Sequence, residues 1–261
     1  MAAKAQSRKG RPCTDRAGLR EWYAGALGQR VLETEHRLLA EVLPDLFGYH
    51  LVQVGQPVSE DLLQSSRISH RVVVEEATVD TPPMSGVRGR ADALPLQRDS
   101  VDVLLLPHTL EFAAHPHEVL REAERVLVAE GHLVILGFNP WSLWGLWRLL
   151  RGRGGRPPWC GNFRSLLKLR DWLALLGFDI VMTRMYCYRP PLSNAALMGR
   201  LGFLECLGRR WWPVLGGAYV LVARKRVVGL TPIRPRWRPR RRRLVQVDLA
   251  RRTPVSRHRG Q

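Results

Sequence analysis

The chain has 261 residues, with 41 Lys and Arg against 23 Asp and Glu, for a formal net charge of +18. The excess belongs to the ends: residues 1–20 carry +5 and residues 224–261 carry +13, leaving residues 21–223 neutral. A uniformly basic body of the histone kind is excluded, and the neutral stretch is long enough for one well-buried core.

Residues 1–16 are small, polar and basic and predict a disordered tail. A globular body follows over 17–228. Apolar residues recur at helical spacing from Leu19 to Leu46, which predicts one or two helices ending near Pro44. YHLVQVG (49–55) reads as a buried strand, residues 56–69 as a helix, and HRVVVEEA (70–77) as a second strand. Pro82-Pro83 and two glycines make 78–98 a loop. SVDVLLLPH (100–108) is a strand, residues 117–128 an amphipathic helix opened by Pro116, and GHLVILGF (131–138) a strand. A Trp- and Arg-rich insert spans 139–163, then a helix over 165–178 and two last strands, FDIVMTRMYCYRP and GAYVLVARKRV. The Arg-rich stretch 229–261 predicts a second disordered tail.

Strands alternating with helices predict an α/β fold: a Rossmann-like, mostly parallel sheet with helices on both faces and an antiparallel edge at the C-terminal end. No apolar run reaches the roughly 18–20 residues that span a bilayer. No apolar segment of signal-peptide type follows the basic N-terminus. Cysteines 13, 160, 187 and 206 are widely spaced without a CxxC, which argues against a metal site or a disulfide framework. The expected location is cytoplasmic.

GRADALPLQRDSVDVLLLPHTLEFAAHPHEVLREAERVLVAEGHLVILGF (89–138) resembles the second half of a class I S-adenosylmethionine-dependent methyltransferase domain of the type-11 family. The resemblance continues through SLLKLRDWLALLGFDIV, and FNPWSLWGLW resembles an uncharacterised bacterial branch of that family. It implies S-adenosyl-L-methionine as cofactor and a methyl acceptor that the residues do not identify. The family's acidic residue and glycine-rich turn after the first strand are replaced here by Gln53, Gly55 and Gln56-Pro57. Glu75 or Glu76 closes the second strand, where the family places the acid that grips the ribose hydroxyls. The adenine-side acid aligns with Arg90, and Asp92, next to Ala93, is its nearest substitute. Pro107 at the end of the third expected strand completes the implied cofactor-binding set.

His108 stands at the ligand edge of its strand, where a catalytic base would act if the acceptor must lose a proton. Asn139, Trp141, Trp144 and Trp147 open the insert as a candidate substrate lid, the three Trp at a spacing that puts them on one side of a helix. That helix reads as a pocket wall, as an interfacial helix with Trp at headgroup depth, or as one packed on the body. RPRWRPRRRR (234–243) suits RNA, DNA or anionic lipid equally. The expected function is methyl transfer from S-adenosylmethionine. The alternative is a methyltransferase-like domain without turnover, a scaffold tethered through its tail.

Overall fold

A computed structural model of the chain describes residues 16–58, 60–76, 86–151, 157–191 and 202–226. Residues 1–15 of the first predicted tail and all of the second, including 234–243, lie outside the described residues, and Arg16 begins α1. The chain divides into two compact units, Met1–Val227 and Val228–Gln261, and every described residue belongs to the first.

The described elements run α1 (Arg16–Ala24), α2 (Ala26–Val42), β1 (His50–Val54), β2 (His70–Glu75), β3 (Gly86–Arg88) and β4 (Val101–Pro107). Then come α3 (Thr109–Phe112), α4 (Pro116–Val126), β5 (Leu127–Phe138), α5 (Leu143–Arg151), α6 (Leu166–Leu175), β6 (Phe178–Tyr186), α7 (Phe203–Trp211) and β7 (Ala218–Lys225). The seven strands form one sheet in the order β3-β2-β1-β4-β5-β7-β6. Pairing from β3 through β5 is parallel. β7 runs antiparallel to both β5 and β6, and β6 forms the edge. This is the predicted mostly parallel α/β sheet, with its antiparallel pairing on the C-terminal side.

Side-chain alternation along the strands explains the two cores. Leu51, Val103, Leu105, Val134 and Leu136 point to one face and bury α1 and α2 through Leu19, Tyr23, Val31, Leu32 and Leu39. Val52, Leu104, Leu106, Leu133 and Ile135 point to the other and bury α4 and α6 through Val119, Leu120, Ala123, Leu169 and Leu173. α4 forms where Pro116 starts it, Glu118 occupies its first turn and Arg125 its last. Arg125 reaches out of the helix to the carbonyls of Leu94 and Leu96 and so fixes the loop that leads into β4.

Three expectations change. Residues 56–69 form no helix; they run as turns around residues 62–65. The expected loop 78–98 contains β3 as an edge strand. Among the described cysteines Cys187 is free, but Cys160 is disulfide-bonded, where the spacing argued against a disulfide framework.

Candidate functional site

The strand order reverses between β1 and β4, so their carboxyl ends open the crevice in which this type of sheet places ligands. Gly55 ends β1 with φ +86, a turn that favours glycine, and its N–H donates to the Val74 carbonyl at 2.8 Å. Gln53 is buried, and its amide donates to the Gly55 carbonyl at 2.9 Å rather than facing the crevice. Glu75, at the end of β2, is buried, whereas Glu76 is exposed. The structure therefore separates the two candidates that the sequence leaves open.

The crevice is closed by α1. The guanidinium of Arg20 pairs with Glu75 Oε1, and its Nε donates to the Gln56 carbonyl at 2.9 Å. Leu19 is buried beside them. The space left between Leu19, Gly55, Gln56, Pro57, Pro107 and His108 is about 10 Å³. That is roughly the room of one water molecule. The second oxygen, Glu75 Oε2, is buried without a hydrogen-bond partner.

His108 follows β4 in the left-handed region at φ 50, and its ring is buried. Its Nε2 lies 2.9 Å from Glu35 Oε1 of α2, and its Nδ1 lies 3.3 Å from Glu111 Oε1 of α3. The hydroxyls of Tyr23 and Tyr186 donate to Glu35 at 3.0 and 2.9 Å. Glu111 Oε1 also accepts the Phe138 N–H at 2.7 Å. His108, Glu35 and Glu111 are all buried. Burial pushes the imidazolium pKa down, but the two carboxylates together outweigh it and lift it from 6.5 to about 10. His108 is thus a cation at neutral pH, and a base role would require one carboxylate to leave it. Burial first, and then the charge of Glu35, raises the pKa values of Tyr23 and Tyr186. Beyond Tyr186 a cavity of about 930 Å³ lies between α2 and β6, with Trp144, Met185 and Arg189 among its walls.

The other predicted residues lie around this centre. Asp92 is gripped by Arg90 through two contacts of 2.9 and 2.7 Å, which hold its carboxyl below the ordinary range against partial burial. Ala93 closes the same turn, its N–H on the Arg90 carbonyl. Pro107 is buried at the rim of the closed crevice. Asn139 is buried and donates to the carbonyls of Val214 and Gly216. The three Trp do not share a face. Trp144 is buried, Trp147 is partly buried in the same cluster, and Trp141, which precedes α5, is exposed. Among the described residues no group of three or more His, Cys, Asp or Glu could hold a metal ion.

Arg20, Tyr23, Glu35, Glu111 and Tyr186 are absent from the sequence-based set. One of them carries a readable signal. The buried face of α2 runs Gly28, Val31, Leu32, Glu35, Leu39, Val42, so Glu35 interrupts an apolar stripe at a core position.

Known proteins agree with this fold. The family model described as Methyltransferase domain matches residues 59–135. The Escherichia coli uncharacterized protein YafS is 34% identical over 215 residues, 79% of this chain and 80% of that protein. The Mycobacterium tuberculosis uncharacterized protein Rv2003c is 29% identical over 196 residues, of which the alignment spans 63% of that protein. Among solved structures, an S-adenosylmethionine-dependent methyltransferase from Thermotoga maritima superposes with a TM-score of 0.58 at 17% identity, over 82% of this chain and 98% of that one. One from Archaeoglobus fulgidus gives 0.54 at 18% identity, over 79% and 97%. The sheet order, the extended likeness to YafS and the family model agree, and the chain belongs to the class I S-adenosylmethionine-dependent methyltransferase family of type 11.

Proposed function

We propose that this protein is an S-adenosylmethionine-dependent methyltransferase whose cofactor crevice is closed by α1 in the state described. One observation carries the reading. Glu75 stands at the end of β2 beside Gly55, buried, with one oxygen taken by Arg20 and the other without a hydrogen-bond partner. A carboxylate with two acceptor oxygens at that strand end suits the two hydroxyls of a ribose. The acceptor carboxylate fits the ribose of the cofactor and the closed volume does not, so α1 must withdraw before a nucleoside can enter.

S-adenosylmethionine, when bound, supplies a methyl group already activated on a sulfonium centre. The protein's own work is to position and to exclude water. Gly55 brings bare backbone to the crevice, and Glu75 offers its carboxylate once Arg20 has left. Glu35, Glu111 and the His108 imidazolium form a fixed charge cluster between the crevice and the cavity behind Tyr186. That cavity is within the size range of small-molecule sites, and we assign it to the unidentified methyl acceptor.

A second reading is a methyltransferase-like domain without turnover that acts as a scaffold. The residual space of about 10 Å³ and the Gln53 and Pro57 replacements favour it. Calorimetric titration with S-adenosylmethionine and S-adenosylhomocysteine separates the two. Arg20→Ala should tighten binding by about tenfold or more, because the competent state no longer competes with an ion pair. Adding Glu75→Ala to that variant should remove the gain. If neither the wild type nor Arg20→Ala binds up to millimolar ligand, the enzyme reading fails and the scaffold stands.

A further inference from the structure

α5 packs Trp144 on the core but turns its charge inward and its leucines outward. Its one described charged side chain, Arg148, is turned inward, only 8% exposed, with Nε on the Trp159 carbonyl at 2.9 Å and its guanidinium 5.0 Å from the Phe163 ring. Leu143, Leu146, Leu149 and Leu150 face outward, the last two 68% and 74% exposed. An aqueous helix puts its leucines on the protein and its charge in solvent.

α7 repeats the pattern. Phe203, Leu207 and Trp211 are exposed at four-residue spacing, which puts them on one side of the helix, and Trp212, Val214 and Leu215 continue the apolar surface beyond its end. The two regions are stitched together. Asn139, which leads into α5, donates through its side chain to the Val214 and Gly216 carbonyls and through its backbone to that of Gly217. The Trp141 N–H in turn binds the Asn139 side-chain oxygen. Exposed Trp141 is therefore held close to exposed Val214. Joined apolar areas of this kind mark an interaction surface.

Charge selects the partner. Residues 131–170 contain seven Lys and Arg and no acid, and after Glu205 the next acid is Asp248. Leucine and tryptophan in stretches rich in arginine and poor in acids, with Glu205 of α7 paired to Arg189, is the composition of a helix that lies in a membrane interface. Among the described residues no helix is long and apolar enough to cross a bilayer, so the contact is one of lying on it.

We propose that the outward faces of α5 and α7, with Trp141, dock this protein on the surface of an anionic lipid bilayer. The exposed leucines and tryptophans enter the headgroup and upper acyl region, and exposed Arg210 of α7 meets lipid phosphate. This holds whether or not the crevice turns over.

The test is flotation of the full-length protein with vesicles of phosphatidylcholine alone and of phosphatidylcholine mixed with phosphatidylglycerol. The wild type should float with the anionic vesicles and much less with the zwitterionic ones. Leu146→Glu with Leu149→Glu should weaken binding by at least about tenfold while leaving the near-ultraviolet circular dichroism unchanged, since both side chains are already in solvent. Absence of binding by the wild type would overturn the proposal. So would binding that survives the double substitution but disappears on deletion of 231–261, which would assign it to the tail alone. Salt-sensitive binding to RNA or DNA without vesicle binding would also overturn it, as would a stable dimer dissolved by the same substitutions in a protein that ignores lipid.

Discussion

A protonated histidine held between two carboxylates and shut away from water is unfavourable to assemble and strongly coupled to pH. The pKa of His108 rises on folding from 6.5 to about 10, so the folded state binds its proton more tightly than the unfolded chain does. Its contribution to stability is complete below pH 6.5 and is lost as pH climbs through about 10. Thermal or urea unfolding across that window should show stability falling by up to about 1.4 kcal/mol per pH unit, and His108→Gln should flatten the profile. Glu35→Ala leaves the imidazolium and two tyrosine hydroxyls short of a partner and should destabilise the fold by about 3–5 kcal/mol, read from denaturant midpoints. At this scale the sequence was only partly legible. Gly55, His108 and the pair Glu75/Glu76 could be located at strand ends, but not which of the two glutamates is buried. Arg20 and Glu111 could not, because nothing local distinguishes a side chain that will cross to another element from one that will meet solvent.

At the scale of elements, the α1–α2 corner governs access to the crevice. Gly28 lies where α2 touches the end of α1: a Cβ there would come within 2.3 Å of the Trp22 carbonyl oxygen and 2.5 Å of the Tyr23 Cα. Both neighbours are backbone, so Gly28→Ala must displace α1, which carries Arg20 and Tyr23. We expect this substitution to speed limited proteolysis near residue 20 and, on the enzyme reading, to raise cofactor affinity in the direction of Arg20→Ala. An unchanged cleavage rate would show that α1 does not yield there. The elements that sequence patterns placed well, β4, α4 and β5, are those whose apolar period and punctuation agree. The stretch 56–69 misled because Val58, Leu62 and Leu63 keep a helical spacing, while Asp61 and Ser66 turn back to cap the backbone N–H groups of Leu63 and Ile68. Those bonds compete directly with a helix. The α5 tryptophans misled for another reason: Trp141 precedes the helix, so equal spacing did not mean a shared face.

For the molecule as a whole, the order of strands and helices was readable because buried parallel strands are continuous apolar runs and the connections between them are punctuated. The pairing order was less so, since β7, last in sequence, sits inside the sheet rather than at its margin. It is also pinned at its end: Lys225 Nζ reaches the carbonyls of Glu124 and Leu127 at 2.7 and 2.9 Å and the Asp99 carboxylate at 3.0 Å. Stability should therefore be sharply divided along the C-terminal stretch. Removal of 231–261 should leave the melting temperature within about 2 °C of the full chain, whereas truncation before Ala218 should abolish cooperative unfolding.

The position of β7 also bears on how the protein is made. β6 has no described strand neighbour other than β7. During synthesis it leaves the ribosome before residues 187–217, and at about 5–20 residues per second it waits some seconds for a partner. Through that interval the flank of β5 that β7 will cover is also open, an apolar ribbon with unmatched backbone groups. The nascent chain is thus most prone to aggregate just before its last strand emerges, and codons that slow translation over 187–217 would lengthen that exposure.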